Sequence, residues 1–505
     1  MGWYGGFQVT SYPPLTHQLT AMLGSIIGVE AGMGILLLAS IGIYAYAIYR
    51  LFKTFVGPDY SRYIPMLAII SPAHLLMVHI FGQIPTVFAT AVSVLALSYF
   101  SDYLKSGGRR NVILAALATA MVAASHHITF VFFLPIGVLM VYAMHAMRNK
   151  EDLTGTTKRL VKYALPSILL AIIPLAAFLS FLNAWPGQVE IPHGSRVDLF
   201  SSSTYSMPFF WGFYAFTAFL IPHAFAIAYR KRILIPVLAA FSLFFVLGLG
   251  GSTPLPWILF GNFANILTYD KFAFYAATLF LPFLAIMVKD SPFFLERYYE
   301  NKFELVKQNK MIQVTFVGAL VLSTVLVAGV APLLRAPPES IADEASAFLN
   351  EGNNADWRYI TLGFESEFMR LGRLTSASSI DGGYNTARTL SVLSTSGIER
   401  LDNAKYFPNG TFVLEHFLSN ANTYSLRWVL SADHYYDDFL EKNGFQEFRT
   451  LRDSSVIVWE KPNIGPQVNE ERDSPLWQVV TWSFSPVLLL IAFIVLTTNP
   501  LRPKS

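Results

Sequence analysis

Runs of about 20 apolar residues recur in this chain from Gly32 to Ala331, and once more near its end. A run of that length crosses bilayer hydrocarbon as a helix, because each backbone N–H and C=O must find its partner inside the segment. The runs predict membrane helices over 30–52, 63–80, 84–104, 111–125, 127–147, 163–184, 208–229, 233–249, 270–288, 311–331 and 476–498, eleven in all. Two of them, 63–80 and 111–125, are short for a span. Only 14% of the 505 residues are charged, where a soluble domain carries about 25%. The chain therefore reads as a polytopic α-helical membrane protein.

Charge sets the expected orientation. The segment 336–475 holds 12 Lys/Arg and 21 Asp/Glu, a net −9; the remainder holds 24 and 12, a net +12. Of those 24 basic residues, 21 fall in alternate loops: Arg50, Lys53 and Arg62; Lys105, Arg109 and Arg110; Arg148 to Lys162; Arg230 to Arg232; Lys289 to Lys310; Arg502 and Lys504. The exceptions are Arg196, Lys271 and Arg335. Lys and Arg concentrate in cytoplasmic loops. A multi-pass protein of the cell membrane is expected, with its C-terminus cytoplasmic. The loops 185–207, 250–269 and 332–475, and Met1, are then extracytoplasmic.

The long loop 332–475 is large enough for a domain. WRYITLGF (357–364) reads as a buried strand, and 426–461 as strand, helix, strand, strand. Asn443-Gly444 closes that helix with a left-handed cap, and Asp453 with its neighbouring serines makes a hairpin turn. An extracytoplasmic mixed α/β domain follows. Asn409-Gly410-Thr411 is a glycosylation sequon on the matching side, or a chance tripeptide. The organisation is an outer loop and interfacial helix (1–29), a transmembrane domain (30–331), the α/β domain (332–475), and a final span with its tail (476–505).

Much chemistry is excluded. The chain has no cysteine, so it has no disulfide, thiol nucleophile or zinc–thiolate site. It has no Walker loop, no HExxH, no nucleophile elbow and no basic, aromatic-interleaved patch for nucleic acid. GSIIGVEAG (24–32) is Gly-rich but lies in a membrane region, where packing is the simpler use than phosphate binding. In SYPPLTHQL (11–19) the prolines fix an extended entry into a short helix that should lie in the interface.

Four stretches carry a resemblance: WYGGFQVTSYPPLTHQL, ASHHITFVF, GSTPLPWILFGNFANILTYDKFAFYAATLFLPFLA, and WRYITLGF followed by SIDGGYNTAR. With them the chain resembles the 6-pyruvoyl-tetrahydropterin-synthase-related integral membrane proteins, which look like glycosyltransferases of the GT-C architecture. No pterin chemistry is suggested. The resemblance implies transfer of a sugar from a polyprenyl-phosphate carrier to an external acceptor. It also implies a catalytic acid in the loop after a first membrane helix. Here Met1 to Val29 contain no Asp or Glu, so the chain reads as a family member lacking that first helix and the acid-bearing part of its loop.

Such chemistry needs a cation for the lipid-phosphate leaving group and a base for the acceptor hydroxyl. Lys271 and Asp270 stand where an outer loop enters a helix; they hold phosphate and acceptor, or are a snorkelling lysine and its cap. His126 and His127 contact phosphate or sugar or shuttle a proton, or are interfacial histidines bonded to carbonyls. Tyr12, in the YPPL stretch, is a further candidate for contact with lipid phosphate or substrate. Glu30 is a weak catalytic candidate with Asp270, or a helix-end acid favoured by the dipole. Asp381, Tyr384 and Arg388 face a ligand, or form a turn with an internal ion pair. HGSRVD (193–198) assigns no role to itself. A divalent metal is left open, with no ligand constellation to hold it. The expected function is glycosyl transfer, with membrane lipid and a polyprenyl-phosphate-linked sugar as partners. The alternatives are non-catalytic lipid or glycan binding, or a transporter or flippase, against which the scarcity of charge inside the spans speaks.

Overall fold

The computed structural model describes residues 9–184, 189–291, 310–333, 341–382, 388, 390–451, 455–467 and 475–498. The chain divides into two compact units. One comprises Pro13–Ala177, His193–Arg335 and Leu476–Ser505; the other comprises Met1–Tyr12, Phe178–Pro192 and Ala336–Pro475. The α/β unit thus takes in 178–192 as well as the long loop, where Val189 donates its N–H to the Ser394 carbonyl at 3.0 Å.

The first unit is helical. Among the described residues eight helices are long and apolar enough to cross a membrane: Val29–Val56, Pro58–His79, Ile84–Ser106, Thr129–Arg148, Lys150–Asn183, Ser203–Arg230, Asp270–Asp290 and Leu476–Thr498. Arg232–Gly248 and Val314–Gly329 are shorter apolar helices. Arg109–Ala123, with 15 residues, is about 22 Å long and falls short of the hydrocarbon thickness. These eleven helices coincide with the predicted segments. The segment at 63–80 is broken into Pro58–Ser61, Ile64–Ile69 and Pro72–His79, each with proline in its first turn, where the missing N–H costs nothing.

Ile84–Ser106 and Asp270–Asp290 are the central helices, 94% buried over their apolar windows, against 17% for Leu476–Thr498. Small residues allow this. Ala89, Ala91, Ser93 and Ala96 of one helix, and Ala115, Ala118 and Ala120 of its neighbour, are all fully buried. Close backbone approach is the main source of helix association in lipid. The hydroxyls of Thr90 and Ser93 donate to the carbonyls of Thr86 and Ala89, both at 2.8 Å, so these two buried side chains are satisfied within their own helix.

The basic loops bind helix C-termini. Arg148 donates to the Thr54 carbonyl at 2.7 Å, and Arg110 to those of Leu496 and Thr497 at 2.9 Å. Arg159 donates to the Leu104 carbonyl, and Arg50 pairs with Asp102 at 2.5 Å. Cations here satisfy orphan carbonyls and oppose the helix dipole.

The helix Leu15–Ile27 does not lie apart as a plain interfacial anchor. Leu15 and Thr16 are buried, and the helix folds back on Val29–Val56 through Gly28, whose φ is +90°. A Cβ on Gly32 would stand 2.8 Å from the Gly24 nitrogen. The Gly-rich stretch is thus a helix–helix packing turn.

In the second unit a four-stranded sheet has the order β1-β2-β4-β3, with β1 Arg358–Leu362, β2 Leu426–Ser431, β3 Gln446–Thr450 and β4 Ile457–Glu460. β1 and β2 are parallel; β4 runs antiparallel to both β2 and β3. Core residues lie on both faces: Ile360, Val429 and Trp459 in one cluster, Tyr359, Trp428 and Val458 in another. Gly444 takes the left-handed cap conformation, φ +78°. The turn at Asp453 lies outside the described residues.

Candidate functional site

The site forms at one end of the helical unit, where Asp270–Asp290 begins. Asp270 and Lys271 open that central helix and are 3% and 9% exposed. Lys271 Nζ donates to Thr268 Oγ1 at 2.5 Å and lies 3.7 Å from Asp270 Oδ2. Asp270 Oδ1 is buried with no hydrogen-bond partner among the described residues. An ammonium with donors to spare thus sits beside an orphan carboxylate oxygen. Burying such a group is costly unless something pairs with it.

Two histidine-containing turns flank this pair. In the first, Thr129 donates its backbone N–H to His126 Nδ1 at 3.2 Å. Because a backbone N–H can only donate, Nδ1 carries the lone pair and the neutral ring has its proton on Nε2. Nε2 meets Thr86 Oγ1 at 3.3 Å, and Thr86 donates to Gln83 Oε1 at 2.9 Å. Thr129 Oγ1 also lies 2.7 Å from Nδ1 and from the Tyr275 hydroxyl. Both nitrogens of His126 are therefore engaged inside the protein. The expected contact from His126 to phosphate is replaced by a structural one that ties three helices together. His127, next to it, is half-buried. The segment that follows, Thr129–Phe133, is a π-helical turn.

The second turn is HGSRVD. Ser195 donates its N–H to His193 Nδ1 at 3.2 Å, and its Oγ lies 2.8 Å from the same nitrogen. Ser195 Oγ accepts from the Tyr269 N–H at 3.0 Å, one residue before Asp270. Arg196 donates to the carbonyls of Ile266 and Leu267 at 2.8 and 2.9 Å, and Asp198 bridges to Gly250. Cβ atoms on Gly250 and Gly251 would stand 1.9 and 2.1 Å from the carbonyl oxygens of Ser195 and Arg196, so only glycine permits this approach. Burial pushes His193 below the ordinary histidine range; Asp270 pulls it up, and Arg196 and Lys271 push it further down.

Sequence reasoning missed this loop. Its one readable signal was Arg196, a cation outside the basic loops, and its target, the 266–269 backbone, leaves no trace in composition.

The remaining candidates lie elsewhere. Glu30 is exposed in the first turn of Val29–Val56, where an acid complements the dipole. Tyr12 is half-buried and groups with the α/β unit. Arg388, 2% exposed, forks onto Asp381 at 3.2 and 2.9 Å and donates to the Ile398 and Glu399 carbonyls. Asp381 also accepts from the Leu401 N–H at 2.8 Å. This is an internal ion pair, and the Arg388 donors face protein rather than a ligand. Tyr384 lies outside the described residues. Among the described residues no three His, Asp or Glu side chains converge to hold a metal.

The chain, with its helical unit and its α/β unit, has a GT-C-like fold. It is similar to the solved structure of ArnT from Cupriavidus metallidurans in the apo state, aligned over 91% of this chain and 89% of its own, with TM-score 0.51 and 10% identity. The same protein bound to undecaprenyl phosphate aligns over 91% and 90%, with TM-score 0.49 and 11% identity. The Archaeoglobus fulgidus oligosaccharyltransferase tethered with an acceptor peptide aligns over 90% and 66%, with TM-score 0.38 and 13% identity. No family model matches the chain, and no curated protein sequence matches it.

Proposed function

We propose that the chain is a membrane glycosyltransferase that takes a sugar from a polyprenyl-phosphate carrier and passes it to an extracytoplasmic acceptor. The observation that carries this reading is the buried Lys271 ammonium beside the unpartnered Asp270 Oδ1, at the mouth of a central membrane helix. In the transfer, the bond from sugar C1 to the phosphate oxygen breaks and a bond from the acceptor oxygen to C1 forms. Lys271 meets the charge that develops on the leaving phosphate. Asp270 accepts the proton of the attacking hydroxyl. The GT-C fold and the positive-inside loops agree with a reaction on the far side of the membrane, with the α/β unit there and the C-terminus cytoplasmic. The resemblance to the pterin-synthase-related membrane family rests on the sequence motifs alone.

The test is binding of farnesyl phosphate by the detergent-solubilised protein. Lys271→Ala should weaken it about tenfold or more, as loss of a charge-assisted contact does, measured on protein that a cooperative melt shows to be folded. Asp270→Asn should keep binding and abolish transfer from a polyprenyl-phosphate sugar. Equal binding by Lys271→Ala and the parent rejects the reading. The binding-only alternative predicts no transfer by the parent itself.

A further inference from the structure

His126 and His193 use the same local device and differ in one respect. Each has Nδ1 accepting from the backbone N–H of a hydroxyl residue two or three positions on, and each has that hydroxyl against the same nitrogen. Each ring is thereby fixed with its proton on Nε2. Protonating Nδ1 would set it against a backbone N–H, which can only donate. In His126 the Nε2–H is closed off by Thr86. In His193 it has no partner among the described residues, and the half-buried ring leaves it accessible.

The surroundings of His193 are rigid. Its ring packs against Phe209, centroids 5.8 Å apart. A Cβ on the next residue, Gly194, would stand 2.8 Å from Phe209. Ser195 is bonded to Tyr269, and Arg196 to the residues before it. The Ser195–Tyr269 bond holds this turn against the residue that precedes Asp270 and Lys271. A loop held at so many points presents its free donor in a fixed place, as a binding group must be presented.

We infer that His193 is a second ligand-contacting residue of this site, an uncharged Nε2–H donor that shares with Lys271 the oxygens of a phosphate group. This rests on the reading of Lys271 given above and extends it. The chemistry follows from what the ring can offer. With Nδ1 engaged, His193 can only donate, so its partner is an acceptor. With the Lys271 ammonium alongside, the favoured acceptor bears negative charge. Lys271 supplies the charge and His193 supplies direction, so the two together fix the phosphate more narrowly than a flexible ammonium alone.

The test uses two substitutions that separate the nitrogens. In His193→Asn, the amide oxygen takes the place of Nδ1 and keeps the turn capped, while the distal donor is lost. In His193→Gln, the amide nitrogen reaches the place of Nε2. Binding is measured on the full-length protein in detergent with farnesyl phosphate, farnesol and inorganic phosphate, with Lys271→Ala in parallel. The expected result is that His193→Asn melts as the parent does and binds farnesyl phosphate about tenfold more weakly. His193→Gln recovers part of that loss, and farnesol binding changes in neither. In the parent, the His193 Nε2 nitrogen resonance moves when farnesyl phosphate is added. Parent-like binding by His193→Asn while Lys271→Ala binds weakly overturns this inference and leaves the carrier reading standing. Parent binding of inorganic phosphate but not farnesyl phosphate, weakened by both substitutions, keeps His193 as the donor and overturns the lipid carrier. No phosphate binding by the parent overturns both.

Discussion

The backbone N–H of Leu15 donates to the carbonyl of Ala124 at 2.8 Å. This one bond joins the YPPL entry to the end of the helix Arg109–Ala123, two residues before His126. It explains why a 13-residue helix, too short to span, is nevertheless integral to the bundle. Its first turn is docked, and Gln18 continues the docking by donating to the Trp482 and Ser483 carbonyls at 3.0 and 2.9 Å.

Proline is tolerated in the first turn of a helix but donates no N–H. Leu15→Pro should therefore destabilise the protein beyond Leu15→Ala, which keeps that donor. The difference should be about 1–3 kcal/mol, the cost of a buried acceptor left unpaired. Thermal unfolding of the two variants in the same detergent measures it, and equal melting would show that the bond contributes nothing.

His126 and Tyr275 meet through Thr129. His126→Ala should cost about 1–3 kcal/mol of stability, and Tyr275→Phe less. The double variant should lose less than the sum of the two, because both remove one network. Additive losses in that cycle would mean that the hydroxyl relay is not coupled.

The Asp381–Arg388 pair should behave as a structural element. Arg388→Ala leaves a buried carboxylate and should cost about 3–5 kcal/mol, read as early proteolysis or a lowered melting temperature. Farnesyl phosphate affinity of the protein that remains folded should be the parent's. Intact stability together with weakened binding would restore Arg388 as a ligand contact.

Orientation can be read with an impermeant maleimide, since the chain has no cysteine of its own. Gly107 has φ +72° and is a poor site for a side chain, so the adjacent, exposed Ser106 is the better probe. Ser106→Cys should be unreactive from outside intact cells, and the exposed Ser419→Cys of the α/β unit should label. The reverse pattern inverts the topology.

Acid should weaken the His193 turn. Burial lowers the folded value of this histidine below 6.5, with Arg196 and Lys271 adding to the effect and Asp270 opposing it. The unfolded chain therefore takes up the proton first. Stability from this group is complete above 6.5 and is lost as pH falls below it toward the folded value. Between pH of about 7.5 and 5, the parent should lose melting temperature relative to His193→Asn. A constant gap would show that the ring does not titrate between the two states.

The membrane architecture was legible because hydrocarbon imposes a length and a composition that any reader of the chain can see. Each of the eleven predicted segments falls on a helix, and the segment at 58–79 is broken at its prolines. The strand near 358 was legible as a short buried run, and those within 426–460 from the turn residues that separate them. The site was legible only where charge stood out of place. Lys271 was noticed because it is basic at the wrong end, and Arg196 for the same reason. His193 was not, because a capping bond between a ring nitrogen and a backbone N–H two residues on leaves no periodicity. Nor does sequence distinguish His126, with both nitrogens engaged, from His193, with one open; that difference lies in a threonine 40 residues away.

The π-helical turn Thr129–Phe133 makes chain length itself a determinant of this site. A π turn holds one residue more than an α turn. Removing any one of those five residues would leave the hydropathy of the region nearly as it was. It would also rotate His126 and Thr129 by about 100° against the helix that follows. Thr129 could then no longer reach both His126 and Tyr275. At this position a shortened relative could match the chain almost letter for letter and still lack the relay. Homologues are therefore better sorted here by counting residues between His126 and Leu134 than by scoring which residues they are.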